Sequence, residues 1–303
     1  MKYIIDTNIN QLKNTVITLG KFDGLHIGHQ KLISIVCELS VKHNLEAVVF
    51  SFFPLPAAVK SNEPYKGIYS ANEKKTLLEM MGVDIYIEYP FGKIMHMPPQ
   101  MFVEEILYRK LRCKFLAVGE DFRFGKDRAG DVDLLNGICH AFGITVVVMP
   151  DEEAGQAMIS SSRIRSLISG HSFKEAEILL GRPYFISGIV EQGKKLGRAI
   201  NFPTANILIP DDKFLPDDGV YITKTIYNGT HYPSVTNIGK NPTFGGGARK
   251  CESYLFDFDK DIYGENITVN FYEFIRGEKK FESVEALKAQ ISEDSARAEM
   301  MFH

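Results

Sequence analysis

The stretch V16-I-T-L-G-K-F-D-G-L-H-I-G-H29 decides the fold of the first half of this chain. Residues 16–19 read as a short buried strand. Gly20 and Gly24 permit a tight turn and close ligand approach, and a helical pattern runs from about His29 through KLISIVCELSVKH. Working outward, EAVVFSF (46–52), VDIYIEY (83–89), KFLAVG (114–119) and GITVVVM (143–149) are further strands. Helices are expected over ANEKKTLLEMM (71–81), which Gly82 ends, over QMFVEEILYRKL, which Pro98 and Pro99 open, and around 131–142. Strands alternating with helices predict an α/β fold with a doubly wound parallel sheet. Sites of such sheets lie beyond the carboxyl ends of the strands, so the histidine turn is placed for function.

The character changes near Arg182. Before it, Ser172 and Glu175 are spaced as a capping box for the helix KEAEILL, which Gly181 ends. After it come YFISGIVEQ, TANILI, GVYITKTIYNG, YPSVTNI, ESYLFDF and ITVNFYEFI, separated by turns. Short strands at this spacing predict an antiparallel barrel. A closing helix is expected from Ser283 to Met301. The predicted domains are therefore 1–182 and 183–303.

Composition excludes several classes. The 303 residues are 45% hydrophobic and 24% charged, which is ordinary for globular proteins. The formal charge of -3 gives no electrostatic reason to expect nucleic-acid or membrane binding. No apolar run has membrane-spanning length, and MKYIIDTNINQLKN contains no secretory apolar core. The four cysteines, Cys37, Cys113, Cys139 and Cys251, are scattered, with no disulfide framework or zinc spacing. A reduced, cytoplasmic setting is expected.

Several stretches carry chemistry. His26 and His29, three apart at a helix start, are placed to point at one phosphate, and the free N–H groups there add positive potential. Such a site needs no nucleophile of its own. A phosphate on the substrate can attack the α-phosphate of ATP while the protein aligns the groups and stabilises the added charge. A bare pair of histidines three apart would mean little; the surrounding glycines make the string specific. In Ile159-Ser-Ser-Ser-Arg-Ile-Arg165, three hydroxyls and two guanidiniums before a helix suit a triphosphate. Gly119-Glu-Asp-Phe-Arg-Phe-Gly125 offers two rings and an arginine beside an acid, a set that can hold a flat ring system. No GxxxxGK[ST] occurs, so any phosphate site in the second half is of another kind. There, Thr204 and Asn206 of Pro203-Thr-Ala-Asn206 supply hard oxygen ligands suited to magnesium. Asp257-Phe-Asp-Lys-Asp261 fails as a calcium loop, because Ile262 and Thr268 replace the required glycine and glutamate; it reads as a hairpin between two strands.

GxFDGxHxGH after a strand, followed downstream by the ISSSRIR element, resembles the nucleotidyltransferase superfamily, with Ser162 where threonine is usual. GEDFRFG is similar to a segment of its FAD synthetase branch. In the second half, LGRxxxFPTANI (196–207), GVY (219–221), VTNIGKNPTFG (235–245), ESYLFDFDKDIYG (252–264) and IRGEKKF (275–281) resemble the riboflavin kinase domain. Both in this order resemble the bifunctional bacterial riboflavin kinase/FAD synthetase family. The resemblance implies a Rossmann-like nucleotidyltransferase domain and a riboflavin kinase barrel, making FMN from riboflavin and FAD from FMN, each with ATP and Mg2+.

It further implies His26 and His29 as catalytic groups for adenylyl transfer and Glu252 as the base for the kinase step. Nucleotide contacts fall on Gly20, Phe22, Asp23, Gly28, Ser160, Ser161, Ser162, Arg163, Arg165, Gly197, Thr204 and Asn206. Flavin contacts fall on Asp121, Phe122, Phe124 and Arg276, and metal contacts on Thr204 and Asn206. Asn201 stands where the family usually has glycine, which keeps open an enzyme with an impaired kinase half. A non-catalytic flavin-binding or regulatory protein is the other alternative. Partners are expected to be small molecules, with no nucleic acid or membrane, and the chain to be a monomer or weak oligomer.

Overall fold

The computed structural model describes residues 1–5, 12–53, 65–150, 153–154, 157–192, 202–240 and 249–302. The chain divides into two compact units, Met1–Ser161 and Ser162–His303.

The first unit is built on six parallel strands: β1 (Lys2–Ile5), β2 (Thr15–Leu19), β3 (Glu46–Phe53), β4 (Ile85–Pro90), β5 (Cys113–Gly119) and β6 (Thr145–Met149). Their order is β1-β4-β3-β2-β5-β6. Every residue of β2 is buried, as a central parallel strand covered on both faces requires. The chain leaves β2 toward β3 and β4, then returns to place β5 on the opposite side of β2. The order therefore reverses at β2, and the crevice beyond the carboxyl ends of β2 and β5 is the switch point of the sheet. All five expected strands form; β1, on the edge beyond β4, was not expected.

Among the described residues, four longer helices accompany the sheet. Helix α1 (Ile27–His43) starts with His26 at its N-cap, slightly earlier than expected. Helix α2 (Ala71–Met80) is closed by a capping box between Ser70 and Glu73. Helix α3 opens as Pro99–Met101 and widens into a π-helical stretch, Phe102–Lys110, where Leu111 N–H reaches back to Ile106 O at 2.9 Å. Asp131 caps α4 (Val132–Ala141) by accepting from Leu134 N–H at 2.9 Å.

The second unit opens with α5 (Ser161–Ser169) and α6 (Phe173–Leu180). The expected capping box of α6 does not form. Ser172 has φ -84° and ψ 60°, and its side chain makes no capping bond. The helix is placed instead by Phe173, whose buried ring lies 5.7 Å from that of Tyr221 and 5.8 Å from that of Phe271. Gly181 ends α6 in the left-handed region, as expected.

Six antiparallel strands close the barrel: β9 (Phe185–Glu191), β10 (Thr204–Leu208), β11 (Gly219–Tyr227), β12 (Thr230–Lys240), β13 (Arg249–Leu255) and β14 (Asn266–Arg276), in the order β10-β13-β12-β11-β14-β9. Two short strands, β7 (Glu153–Ala154) and β8 (Ala157–Met158), pair in the first unit. Asn228 and Gly229, with φ of 47° and 76°, form the two-residue turn between β11 and β12. β13 and β14 are not neighbours. Residues 256–265 thus cross between separated strands and are not the hairpin expected. Helix α7 (Val284–Phe302) packs over Val220, Ile222 and Val235 through Ala298 and Phe302.

The barrel interior holds a polar feature. Thr223, Ser234, Thr225, Ser253 and Thr236 are fully buried, and their hydroxyls close a ring of five hydrogen bonds, each 2.7–2.9 Å long. Every hydroxyl has two hydroxyl neighbours in the ring, and Thr223 Oγ1 is also in donating reach of the Ser234 carbonyl at 3.1 Å, so these groups find their partners within the protein. Thr236→Val opens the ring and removes a partner from both Thr223 and Ser253. The expected loss is about 1–2 kcal/mol, read as a lower denaturant midpoint at unchanged slope.

Candidate active sites

The turn after β2 is held in an unfavourable backbone conformation. Phe22 and Leu25 have φ of 48° and 42°, rare for such residues, yet both side chains are fully buried. Gly24 has φ +80°, and a Cβ there would stand 2.8 Å from Ile68 Cδ1. The Asp23 carboxylate accepts from Ile68 N–H at 2.8 Å and from the Tyr65 hydroxyl at 2.6 Å. It therefore braces the turn. Ser161 Oγ donates to the Asp23 carbonyl at 2.9 Å.

This turn delivers the two imidazoles together. The His26 and His29 rings stack at 3.6 Å with 22° between planes, and Phe22 stands 5.1 Å behind His29. Gly28 is buried between them in the first turn of α1. Both Nδ1 atoms are buried without a hydrogen-bond partner among the described residues. Burial pushes His26 down to about 4 against the opposing pull of Asp23. Burial, His26 and Lys74 hold His29 well below the ordinary imidazole range. At neutral pH both rings are uncharged and act as hydrogen-bonding dipoles.

The serine–arginine element spans the division between the units, which falls between Ser161 and Ser162. Ser160 and Ser161 belong with the histidine turn. Ser162, Arg163 and Arg165 belong with the barrel, where the Arg165 guanidinium lies 4.8 Å from the centre of the Phe214 ring.

Beyond the carboxyl ends of β3, β4 and β5 the sheet carries an aromatic face. Phe52 meets Phe91 at 5.7 Å, and Phe122 stacks with Phe124 at 5.8 Å and 13°. All four pack against one apolar core, with Phe124 buried in it. Asp121 is exposed beside them. Phe91 was not singled out in the sequence, because aromatic residues at strand ends read as ordinary core.

On the barrel, register assembles the second site. Glu252 stands directly opposite Asn206 of β10 and Asn237 of β12, with Thr204 one outward position along β10. Their exposure alternates with buried neighbours such as Cys251 and Ser253, so all four face outward. The same row continues through Val220 to Arg276. Arg276 makes its polar contacts within the protein: its guanidinium grips Asp294 of α7 at 2.8 Å and 3.2 Å. Asn206 Nδ2 donates to Thr204 O at 3.3 Å. The Thr204 hydroxyl and the Asn206 amide share this outward face, two hard oxygen donors of the kind that fit magnesium. Gly197 and Asn201 lie outside the described residues.

A switch-point turn with two stacked histidines on one unit and an outward oxygen-rich row on a closed barrel fit the class of two-module transferases. Residues 8–163 match the family model described as FAD synthetase, and residues 180–302 that described as Riboflavin kinase. A bifunctional riboflavin kinase/FMN adenylyltransferase from Buchnera aphidicola is 37% identical, covering 98% of this chain and 96% of its own. The protein of the same name from Escherichia coli K12 is 37% identical, over 95% of this chain and 92% of its own. A crystal structure described as a macrolide-efflux protein from Streptococcus pneumoniae matches at a TM-score of 0.84 and 31% identity, over 99% of both chains. Among the described residues, no helix is long and apolar enough to cross a membrane. The chain belongs to the bifunctional riboflavin kinase/FMN adenylyltransferase family.

The depressed His26 value sets a pH dependence. The fold keeps this ring neutral down to about pH 4, whereas an unfolded histidine takes a proton near pH 6.5. Stability is therefore full above pH 6.5 and falls as pH drops toward 4, by roughly 3 kcal/mol from His26 alone. Denaturant melts from pH 7 to 4 measure this; His26→Gln is expected to flatten the slope.

Proposed function

We propose that this chain runs both reactions of its family, with the residue roles below. In the barrel, riboflavin and ATP give FMN and ADP: the ribityl 5′-oxygen forms a bond to the γ-phosphorus, the bond to ADP breaks, and Glu252 takes the hydroxyl proton. In the first unit, FMN and a second ATP give FAD and pyrophosphate: an FMN phosphate oxygen forms a bond to the α-phosphorus and pyrophosphate leaves. FMN already carries its attacking oxygen, so no base is required there. His26 and His29 donate hydrogen bonds to the phosphates as neutral dipoles, fixed in orientation by stacking and burial.

Gly20, Phe22, Asp23 and Gly28 shape the turn around the nucleotide, with Ser160 and Ser161 on its phosphates; Ser162, Arg163 and Arg165 stand as phosphate contacts on the family resemblance alone. Asp121, Phe122 and Phe124, with Phe52 and Phe91 beside them, take the flavin ring for adenylylation. Arg276 serves the flavin side of the barrel by fixing α7 through Asp294. Thr204 and Asn206 hold Mg-ATP; magnesium, when bound, draws the phosphate oxygens together and neutralises their charge. The working division between activities lies near Arg182, and the enzyme acts in the cytoplasm as a monomer or weak oligomer, on small molecules alone.

What carries this reading is the register that sets Glu252 between two asparagines beside Thr204, while a stacked histidine pair occupies the switch point of a separate sheet. Chromatography of flavins from two incubations with Mg-ATP, one with riboflavin and one with FMN, tests it. Parent enzyme is expected to give FMN then FAD from the first and FAD from the second. His29→Ala is expected to slow FAD formation about 100-fold and leave FMN formation near the parent rate. Glu252→Ala is expected to do the reverse, slowing FMN formation about 100-fold or more. A folded variant that loses both steps would sink the two-site assignment.

A further inference from the structure

Asn237 is used by neither site as assigned so far, yet it stands directly across the β12–β13 pair from Glu252. Directly opposed residues on one face bring their Cβ atoms to about 5 Å. Asn206 occupies the same relation on the other side. Glu252 is thus flanked by a carboxamide on each neighbouring strand. Asn237 has a second acidic neighbour. Its Nδ2 donates to Glu278 Oε1 at 3.5 Å, and Glu278 leans over β12 in the notch left by Gly239, where a Cβ would collide with its carboxylate. Among the described residues, register also brings Lys250, two residues back on the same face, and Glu191, across from Asn206, near Glu252. A carboxamide nitrogen carries two N–H donors and takes no charge. It is the side chain suited to stand between two carboxylates without adding to their repulsion.

We infer that Asn237 is a positioning residue for the kinase step: one of its N–H groups orients the Glu252 carboxylate toward the riboflavin hydroxyl while the other holds Glu278 aside. The inference rests on the reading of Glu252 as the base. In that role a fixed carboxylate matters more than a tightly bound substrate, so the loss of Asn237 falls on kcat.

The test uses the full chain, with FMN formation from riboflavin and Mg-ATP followed at one neutral pH. Asn237→Ser removes the amide and is expected to lower kcat about 10-fold or more, with both KM values within about twofold. FAD formation from FMN stays at the parent rate. A merely structural role would lower the melting temperature and leave kcat of the folded protein at the parent value. Parent kcat in Asn237→Ser, or a loss carried by KM alone, overturns the inference. Glu252→Gln in the same assay separates the two claims: full activity there removes the base and the inference with it. An inactive Glu252→Gln beside a normal Asn237→Ser removes the inference only.

Discussion

The histidine site depends on a backbone conformation that the chain would not choose locally. Two large residues, Phe22 and Leu25, sit in the left-handed region, at a cost of order 1–3 kcal/mol each. Both side chains are driven into the core, and burying each returns a comparable amount. The turn therefore persists because the apolar groups that strain it are also the ones that anchor it. Asp23 supplies the polar half of the anchor through Ile68 and Tyr65. The direction in which α1 leaves the sheet follows from this turn, and with it the stacking of His26 on His29.

The barrel solves a different problem with a simpler rule. Side chains alternate across a strand, so β13 sends Ser253 inward and Glu252 outward from adjacent positions. The same alternation on β12 puts Thr236 inward and Asn237 outward. One register thereby serves the buried hydroxyl ring and the outward row together. A one-residue slip would move the polar row into the core and the hydroxyls to the surface. The ring is hence a device for register as well as a way of filling a core with satisfied polar groups.

Most elements were legible because their sequences carry strong periodicity. β2 through β6 are apolar runs between turns, and the barrel strands alternate. β1 was not legible: four half-exposed residues at a sheet edge have no pattern apart from their pairing with β4. The hairpin expected at 257–261 failed for the same reason. Local sequence marks a turn well, but whether the flanking strands pair is decided by β10, β11 and β12, which lie far off in the chain. Widening of α3 into π-type bonding had no local signal either. At the candidate sites, residue types were legible and their commitments were not. Asp23 spends its carboxylate on partners 42 and 45 residues away, and Arg276 meets an acid 18 residues on. Spacing along the chain says nothing about such pairs. Phe91 was hidden by the rule that aromatic residues belong to the core, which it also obeys.

The two candidate sites place opposite demands on their titratable groups, and the fold separates them accordingly. Adenylyl transfer gathers negative charge from two phosphate groups, which invites the thought that both histidines should be cationic. Stacked rings 3.6 Å apart in a buried turn cannot both hold a proton. In the role proposed for them they work as neutral dipoles, already aimed, that need no reorganisation when charge arrives. Compensating positive charge then has to come from guanidiniums and from a metal, which tolerate their charge in contact with water. Phosphorylation of an alcohol needs a group that can take up a proton and release it again. Such a group belongs where solvent can reach it, and Glu252, proposed for that task, stands on a half-exposed barrel face with an amide across from it on each side. Placing the first set of groups in a buried crevice and the second on an outward face lets one chain carry two phosphate chemistries without either site compromising the electrostatics of the other.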